Sequence, residues 1–203
     1  GYTWSRNSRE NKLTPWSNDA VLDPSGEAIY IRDEEQQYFW SPLPEPVAGS
    51  SFYEVRHGFG YSTYQSKTLN IEQTVSKWVA TDEPIKIVKL HLSNTDLMSK
   101  RLSIFSYVDW VLGVFREDAT RHITTSLDSK LQTIFARNNY NNEFAGRVAA
   151  AAIYTPGDFE QDAFTSDRSA FIGRNNTLRK PQALGDEFQL DGRFGMGWEV
   201  CAA

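Results

Sequence analysis

The strongest constraint in the sequence is a period of two. From Leu69 to Val79, the positions Leu69, Ile71, Val75 and Val79 are apolar, while Asn70, Glu72, Thr74 and Ser76 face the other way. That alternation belongs to a strand with one face in a core and one in water. Only Trp78 breaks it. Pro84 punctuates the chain, and Ile85–Leu92 alternates again with Val88, Leu90 and Leu92 on one face. Asn94-Thr95-Asp96 reads as a turn. Across Arg101–Trp110, Leu102, Ile104, Val108 and Trp110 take one face and Phe105 and Tyr107 the other, so both faces are expected to be covered, as in a sandwich core. Runs at Leu131–Ala136, Val148–Tyr154, Ala170–Ile172 and Phe188–Leu190 keep spacings typical of an all-β sandwich. The expected class is all-β, built from antiparallel sheets.

Helical signal is thin. Asp118–Leu127 has room for a short turn, and the alanine-rich Ala145–Ala152 sits inside a strand-spaced series and is read as strand. There is no internal repeat and no low-complexity linker. The 203 residues are therefore read as a single β-sandwich domain, with residues 1–50 as a loop-rich N-terminal segment packed on it, carrying Pro15, Pro24, Pro42, Pro44 and Pro46. The chain opens at Gly1 without methionine and stops inside a strand-like string, Gly197–Ala203, so it is expected to be a piece of a longer protein.

Composition removes several functions. Apolar residues make up 40% and aromatics 13%, enough for a packed core. The 26 acidic and 21 basic side chains give a net charge of −5 without a basic run, which argues against nucleic-acid or anionic-membrane partners. No stretch approaches the roughly 18 to 20 apolar residues of a bilayer span. Cys201 is the only cysteine, and His57, His91 and His122 share no metal-ligand spacing, so neither disulfide nor metal is expected. Gly58 and Gly60 lack the strand–loop–helix setting of a dinucleotide site, and no Gly-x-Ser-x-Gly elbow occurs.

Three groups of residues have chemical potential. Glu54, Arg56 and His57 suit hydrogen bonding to a polyol or phosphate, or else Glu54 and Arg56 share a strand face and support a loop. Asp33-Glu34-Glu35 reads as a solvated hairpin between Ile29–Arg32 and Tyr38–Trp40 rather than as a catalytic carboxylate pair. Tyr2, Trp4, Trp16, Tyr38 and Trp40 lie among amides and charges that include Asn7, Arg9 and Asn11. This mixture suits stacking on sugar rings, or the burial of loops.

Read together, several strings resemble one family. Gly1-Tyr-Thr-Trp-Ser-Arg-Asn-Ser-Arg-Glu-Asn-Lys-Leu-Thr-Pro-Trp-Ser-Asn-Asp19, Glu27-Ala-Ile-Tyr-Ile-Arg-Asp33 and Phe39-Trp-Ser-Pro42 are similar to the opening of the N-terminal domain of glycoside hydrolase family 94, formerly glycosyltransferase family 36. Tyr53-Glu-Val-Arg-His-Gly-Phe-Gly-Tyr61, Asp109-Trp-Val-Leu-Gly113, Ala136-Arg-Asn-Asn-Tyr-Asn-Asn-Glu-Phe-Ala-Gly-Arg147 and Phe171-Ile-Gly-Arg-Asn-Asn-Thr-Leu178 extend the match in order. Within the family the chain is most similar to the C-terminal region of cyclic β-1,2-glucan synthases and to β-1,2-oligoglucan phosphorylases.

The resemblance implies a supersandwich of galactose-mutarotase-like fold that precedes an (α/α)6 catalytic barrel, which this chain lacks. It implies inverting attack by inorganic phosphate, the co-substrate of the full-length enzyme, with no other cofactor and with the general acid on the barrel. The chain itself is then expected to be non-catalytic, lining the glucan cleft and contacting the barrel. Its partners would be a β-glucan oligosaccharide, the barrel and a second copy in a homodimer. Its location would be cytoplasmic, at the inner-membrane face if the parent is a membrane synthase. By position, Arg9, Trp16, Trp40, Arg56 and His57 are the candidate substrate-binding residues. Two rivals stand beside this reading. One is an aldose epimerase using His91 against Glu143 or Glu160, and the other is a purely structural or dimerisation domain.

Overall fold

A computed structural model describes residues 2–19, 21, 23, 25–49, 52–156, 163–185, 190, 192 and 201–203. The chain packs as two compact units, residues 1–28 with 106–203 (unit 1) and residues 29–105 (unit 2). In chain order the elements are β1 (Glu27–Asp33), β2 (Tyr38–Trp40), β3 (Glu54–Gly58), β4 (Tyr61–Thr68), β5 (Ile71–Val79), β6 (Lys86–Asn94) and β7 (Leu102–Asp109), then α1 (Arg116–Ala119), β8 (Ile123–Asp128), β9 (Thr133–Asn138), β10 (Ala149–Ala152), α2 (Arg168–Ile172) and β11 (Cys201–Ala202). Every pairing described between these strands is antiparallel, as the alternation requires. No helix among the described residues is long and apolar enough to cross a membrane.

In unit 2, β3–β6 form a four-stranded meander. Ile71 and Val75 of β5 are buried, while Glu72 is exposed and Thr74 and Ser76 are only half-buried, so the period of two is realised. The strand begins at Ile71, later than the alternation implied. Leu69 and Asn70 instead form the two-residue turn, with φ of 48° and 63°, the left-handed pair that tight hairpins favour. Leu69 takes this unusual backbone while its side chain packs against the core of Ile31, Trp40 and Ile71.

The hairpin β1–β2 carries a correction. The Asp33 carboxylate is buried, not solvated: one oxygen accepts the N–H groups of Glu35 and Gln36 at 3.0 Å each, and the other lies 3.8 Å from Lys100 Nζ. Asp33 therefore builds the turn that Glu34 and Glu35 decorate.

In unit 1, a core of Trp110, Leu112, Ile123, Ile134, Ala136 and Ala202 lies under β8–β10. Alanine in β10 is a packing choice, because Ala149 and Ala151 approach this core while Ala150 and Ala152 face out. The region expected to hold a short turn, Asp118–Leu127, contains the end of α1, a 3-10 turn at Thr120–His122 and then β8 up to its last residue but one. The expected strand at Ala170–Ile172 is instead the end of α2. Asp167 caps that helix by accepting from Ser169 N (2.8 Å) and Ala170 N (3.2 Å), and Gly173 at φ 90° stops it. Phe188 and Gln189 of the expected strand at 188–190 lie outside the described residues.

Trp40 is fully buried under the Tyr38 ring, 5.9 Å away, and its indole N–H donates to Gln73 Oε1 at 2.8 Å. Replacing Trp40 with Ala is expected to lower the unfolding free energy by about 3–5 kcal/mol in denaturant titration. A loss below about 1 kcal/mol would mean that the ring is not core.

Candidate functional site

The N-terminal segment of unit 1 is a small closed loop followed by an aromatic shelf. Asn7 Oδ1 accepts from the N–H groups of Arg9 (2.9 Å) and Glu10 (3.0 Å), and Asn11 Nδ2 donates to the Ser5 carbonyl at 3.0 Å. Arg6 turns the chain at φ 64°. Backbone bonds between Lys12 and Gly113, 3.2 and 3.1 Å long, tie the loop to the stretch after β7.

Lys12 is the centre of the shelf. Its side chain is buried, and Nζ donates to the Val114 carbonyl at 3.0 Å while standing 5.5 Å from the Trp16 ring and 5.8 Å from that of Phe115. The ammonium thereby exchanges water for a carbonyl and two π faces. Trp16 tilts against Tyr2 at 5.5 Å and stays 42% exposed; Trp4 and Phe115 are more open still. Nearby, Asn141 Nδ2 donates to the Glu10 and Leu112 carbonyls, both at 3.3 Å.

The candidates fare differently. Arg9 stands at the loop tip, 81% exposed, with its Nε 3.4 Å from Glu10. Trp16 belongs to the shelf. Arg56 and His57 are neighbours on β3 and so point to opposite faces of the meander. Arg56 bonds to Glu54 Oε1 with Nε at 2.7 Å and a terminal nitrogen at 2.5 Å. His57 Nδ1 lies 2.8 Å from Ser62 Oγ, and the ring stands edge-on to Tyr64. An open concavity of about 400 Å³ beside it is lined by His57, Ser62, Lys77 and Lys86 among others. Trp40, expected at a sugar-facing rim, is corrected to a core residue, since a fully buried ring cannot stack on a ligand.

The alternative acid–base pair finds no enclosed setting. His91 on β6 and Glu143 are each exposed, and Glu160 lies outside the described residues. Among the described residues the buried carboxylates are structural. Asp33 builds its turn, and Asp109 Oδ2 accepts from Arg116 Nε at 3.1 Å with Arg168 Nε 3.9 Å away. Burial, and then the negative charge of Asp109, push the adjacent Tyr107 phenol well above its ordinary pKa. Among the described residues no group of three His, Cys, Asp or Glu side chains is placed to hold a metal ion. The arrangement can stack rings and donate or accept hydrogen bonds.

Sequence reasoning missed Lys12 and Phe115. A lysine between Asn11 and Leu13 carries no motif, and its role depends on a carbonyl 102 residues away. Replacing Lys12 with Met keeps the stem and removes the ammonium. Chemical unfolding is expected to show a loss of about 1–2 kcal/mol, and an unchanged midpoint would show that the ammonium does not anchor the shelf.

Comparison with known proteins gives one family. The family model described as "Glycosyl hydrolase 94, supersandwich domain" matches residues 1–203. The chain is 34% identical over 203 residues to the cyclic beta-(1,2)-glucan synthase NdvB of Rhizobium meliloti (strain 1021), covering 100% of this chain and 7% of that protein. It is 26% identical over 216 residues to the N,N'-diacetylchitobiose phosphorylase of Vibrio furnissii, covering 99% and 25% of the two chains. To the solabiose phosphorylase of Paenibacillus borealis it is 27% identical over 182 residues, covering 81% and 23%. The chain thus spans a quarter or less of the length of these relatives.

Proposed function

The chain belongs to the glycosyl hydrolase 94 family as its supersandwich domain, and on that premise we propose that it is the non-catalytic, glucan-contacting part of a β-glucan phosphorylase or a cyclic β-1,2-glucan synthase. In this reading the domain walls the glucan cleft, docks on the (α/α)6 barrel and meets a second copy in a homodimer. Phosphate attack and protonation of the leaving oxygen are the barrel's work. The location is cytoplasmic, at the inner-membrane face where the parent is a membrane synthase.

The observation that carries this reading is the exposed Trp16, which tilts against the half-buried Tyr2 and stands over the Lys12 ammonium, on the segment whose preceding loop carries Asn7 and Arg9. A pyranose offers C–H groups that stack on an aromatic face, and hydroxyls that pair with amides and guanidinium groups. The relatives are named as a cyclic beta-(1,2)-glucan synthase, an N,N'-diacetylchitobiose phosphorylase and a solabiose phosphorylase, which supports a carbohydrate-contacting role. General acid catalysis needs a carboxylic acid within hydrogen-bond reach of the scissile oxygen. Among the described residues the two best-buried carboxylates, Asp33 and Asp109, are committed to Lys100 and to Arg116. A purely structural domain is the rival, favoured by the fully exposed Phe52, Phe59 and Leu97.

Titration of linear β-1,2-glucan oligosaccharides against tryptophan fluorescence separates the two. Saturable binding is expected, weakened by about 1–2 kcal/mol in Trp16→Ala, and incubation with phosphate is expected to release no sugar phosphate. A flat titration at millimolar glucan would leave the structural role alone.

A further inference from the structure

Register sorts the side chains of the β3–β6 meander onto two faces. Ile71, Gln73 and Val75 turn toward the core that holds Trp40, while Glu72, Thr74, Ser76 and Trp78 turn the other way. On this outer face Gly58, Tyr61, Trp78 and Ile87 stand opposite one another in a cross-strand row. Arg56, Thr63, Ser76 and Lys89 form the next row, and Glu54, Gln65, Thr74 and His91 the one after. Successive rows are two residues apart, about 7 Å along the strands.

Tyr61 has an unusual posture. A Cβ added to Gly58 would overlap ring atoms Cε1 and Cζ of Tyr61, so the ring lies across the glycine and against the backbone of the edge strand β3. The residue still keeps 53% of its surface in water. Gly58, unlike Gly60 at φ 78°, is not at a positive φ. Its missing side chain therefore serves the ring rather than the backbone. A tyrosine ring that lies over a glycine of the sheet and stays half exposed offers a surface for stacking.

Two ion pairs offset most of the charge on this face, and Lys89 is the lysine outside them. Arg56 is held by Glu54 at 2.5 Å, and Lys67 by Glu72 at 3.4 Å. Between them stand the neutral hydrogen-bonding groups of Thr63, Gln65, Thr74 and Ser76. This charge pattern complements a long, uncharged, polyhydroxylated chain. A polyanion would meet Glu54 and Glu72, a polycation would meet Arg56 and Lys89, and an apolar protein surface would strand the hydroxyls and the amide.

We propose that the outer face of β3–β6 is a further glycan-binding surface, on which Tyr61 stacks against one pyranose of a neutral glucan chain while the polar rows bond the hydroxyls of its neighbours. The proposal rests on the reading of the chain as a glucan-contacting domain and deepens it. It also gives a role to Arg56, which faces away from His57.

The test is isothermal titration of the 203-residue chain and its variants with long linear β-1,2-glucan. Tyr61→Ala is expected to weaken binding about tenfold or more, and Tyr61→Phe to stay within about twofold, because the ring and not the hydroxyl does the stacking. Gly58→Ala keeps the ring but lifts it off the sheet, and is expected to weaken binding about fivefold. It stands in if Tyr61→Ala does not fold. Folded Tyr61→Ala or Gly58→Ala variants that bind like the parent, while Trp16→Ala still weakens binding, would overturn the platform and leave the domain reading in place. A parent chain that binds no glucan would overturn both.

Discussion

The hydrogen bond from the Trp40 indole to Gln73 decides which side of the unit 2 meander meets the core. Gln73 is buried, yet both ends of its amide are satisfied: Oε1 accepts from Trp40 at 2.8 Å and Nε2 donates to Ser66 Oγ at 2.7 Å. Slipping β5 by one residue would invert every side chain on the strand and leave a buried indole N–H without its acceptor. The polar pair thus fixes a register that Ile71 and Val75 alone would specify less sharply. With that register set, Tyr61 and Trp78 point outward together, and the ring of Tyr61 can lie on Gly58.

Unit 1 is organised around a charge. The Asp109 carboxylate gathers Arg116 from α1 and Arg168 from α2, its backbone N–H donates to the Gly26 carbonyl at 2.9 Å, and it stands opposite Cys201 in the β7–β11 pairing. Removing one partner of so buried a cluster leaves the others uncompensated, so such groups constrain conformation more than they add stability. Four residues later in the chain, Gly113 pairs with Lys12, and Val111 N–H donates to the Leu13 carbonyl at 2.9 Å. The stretch that begins at Asp109 therefore holds the N-terminal segment from which Trp16 projects. Both units place their aromatic surfaces by the same means, a polar contact inside and a ring outside.

The parts legible in the sequence were those governed by local periodicity. Strands β5 and β6 follow from alternation because each has one face toward a core, β7 from apolar residues on both faces, β9 and β10 from strand-spaced apolar runs, and family membership follows from strings spread along the chain. What escaped depends on contacts distant in sequence or on single-residue chemistry. Phe171 and Ile172 look strand-like until Asp167 and Gly173 are recognised as the two ends of a helix. Asp33 looks solvated beside Glu34 and Glu35 until Lys100 reaches it. Trp40 looked available for stacking because a tryptophan near loops is ambiguous, and only Gln73, thirty-three residues on, makes it core. Arg56 and His57 were grouped by adjacency, although adjacency on a strand separates side chains rather than uniting them. Tyr61 carries no signal in the sequence because its meaning lies in the glycine opposite, a relation that register reveals.

Hydrogen–deuterium exchange of the chain with and without linear β-1,2-glucan shows whether exposed aromatic surfaces rather than buried rings meet the glycan. Slowed exchange is expected in two stretches, residues 2–16 around Trp16 and residues 54–65 around Tyr61. Exchange across β1 and β2, which hold Trp40, should be unchanged. Uniform exchange with and without glucan, or protection confined to the Trp40 hairpin, would contradict that expectation.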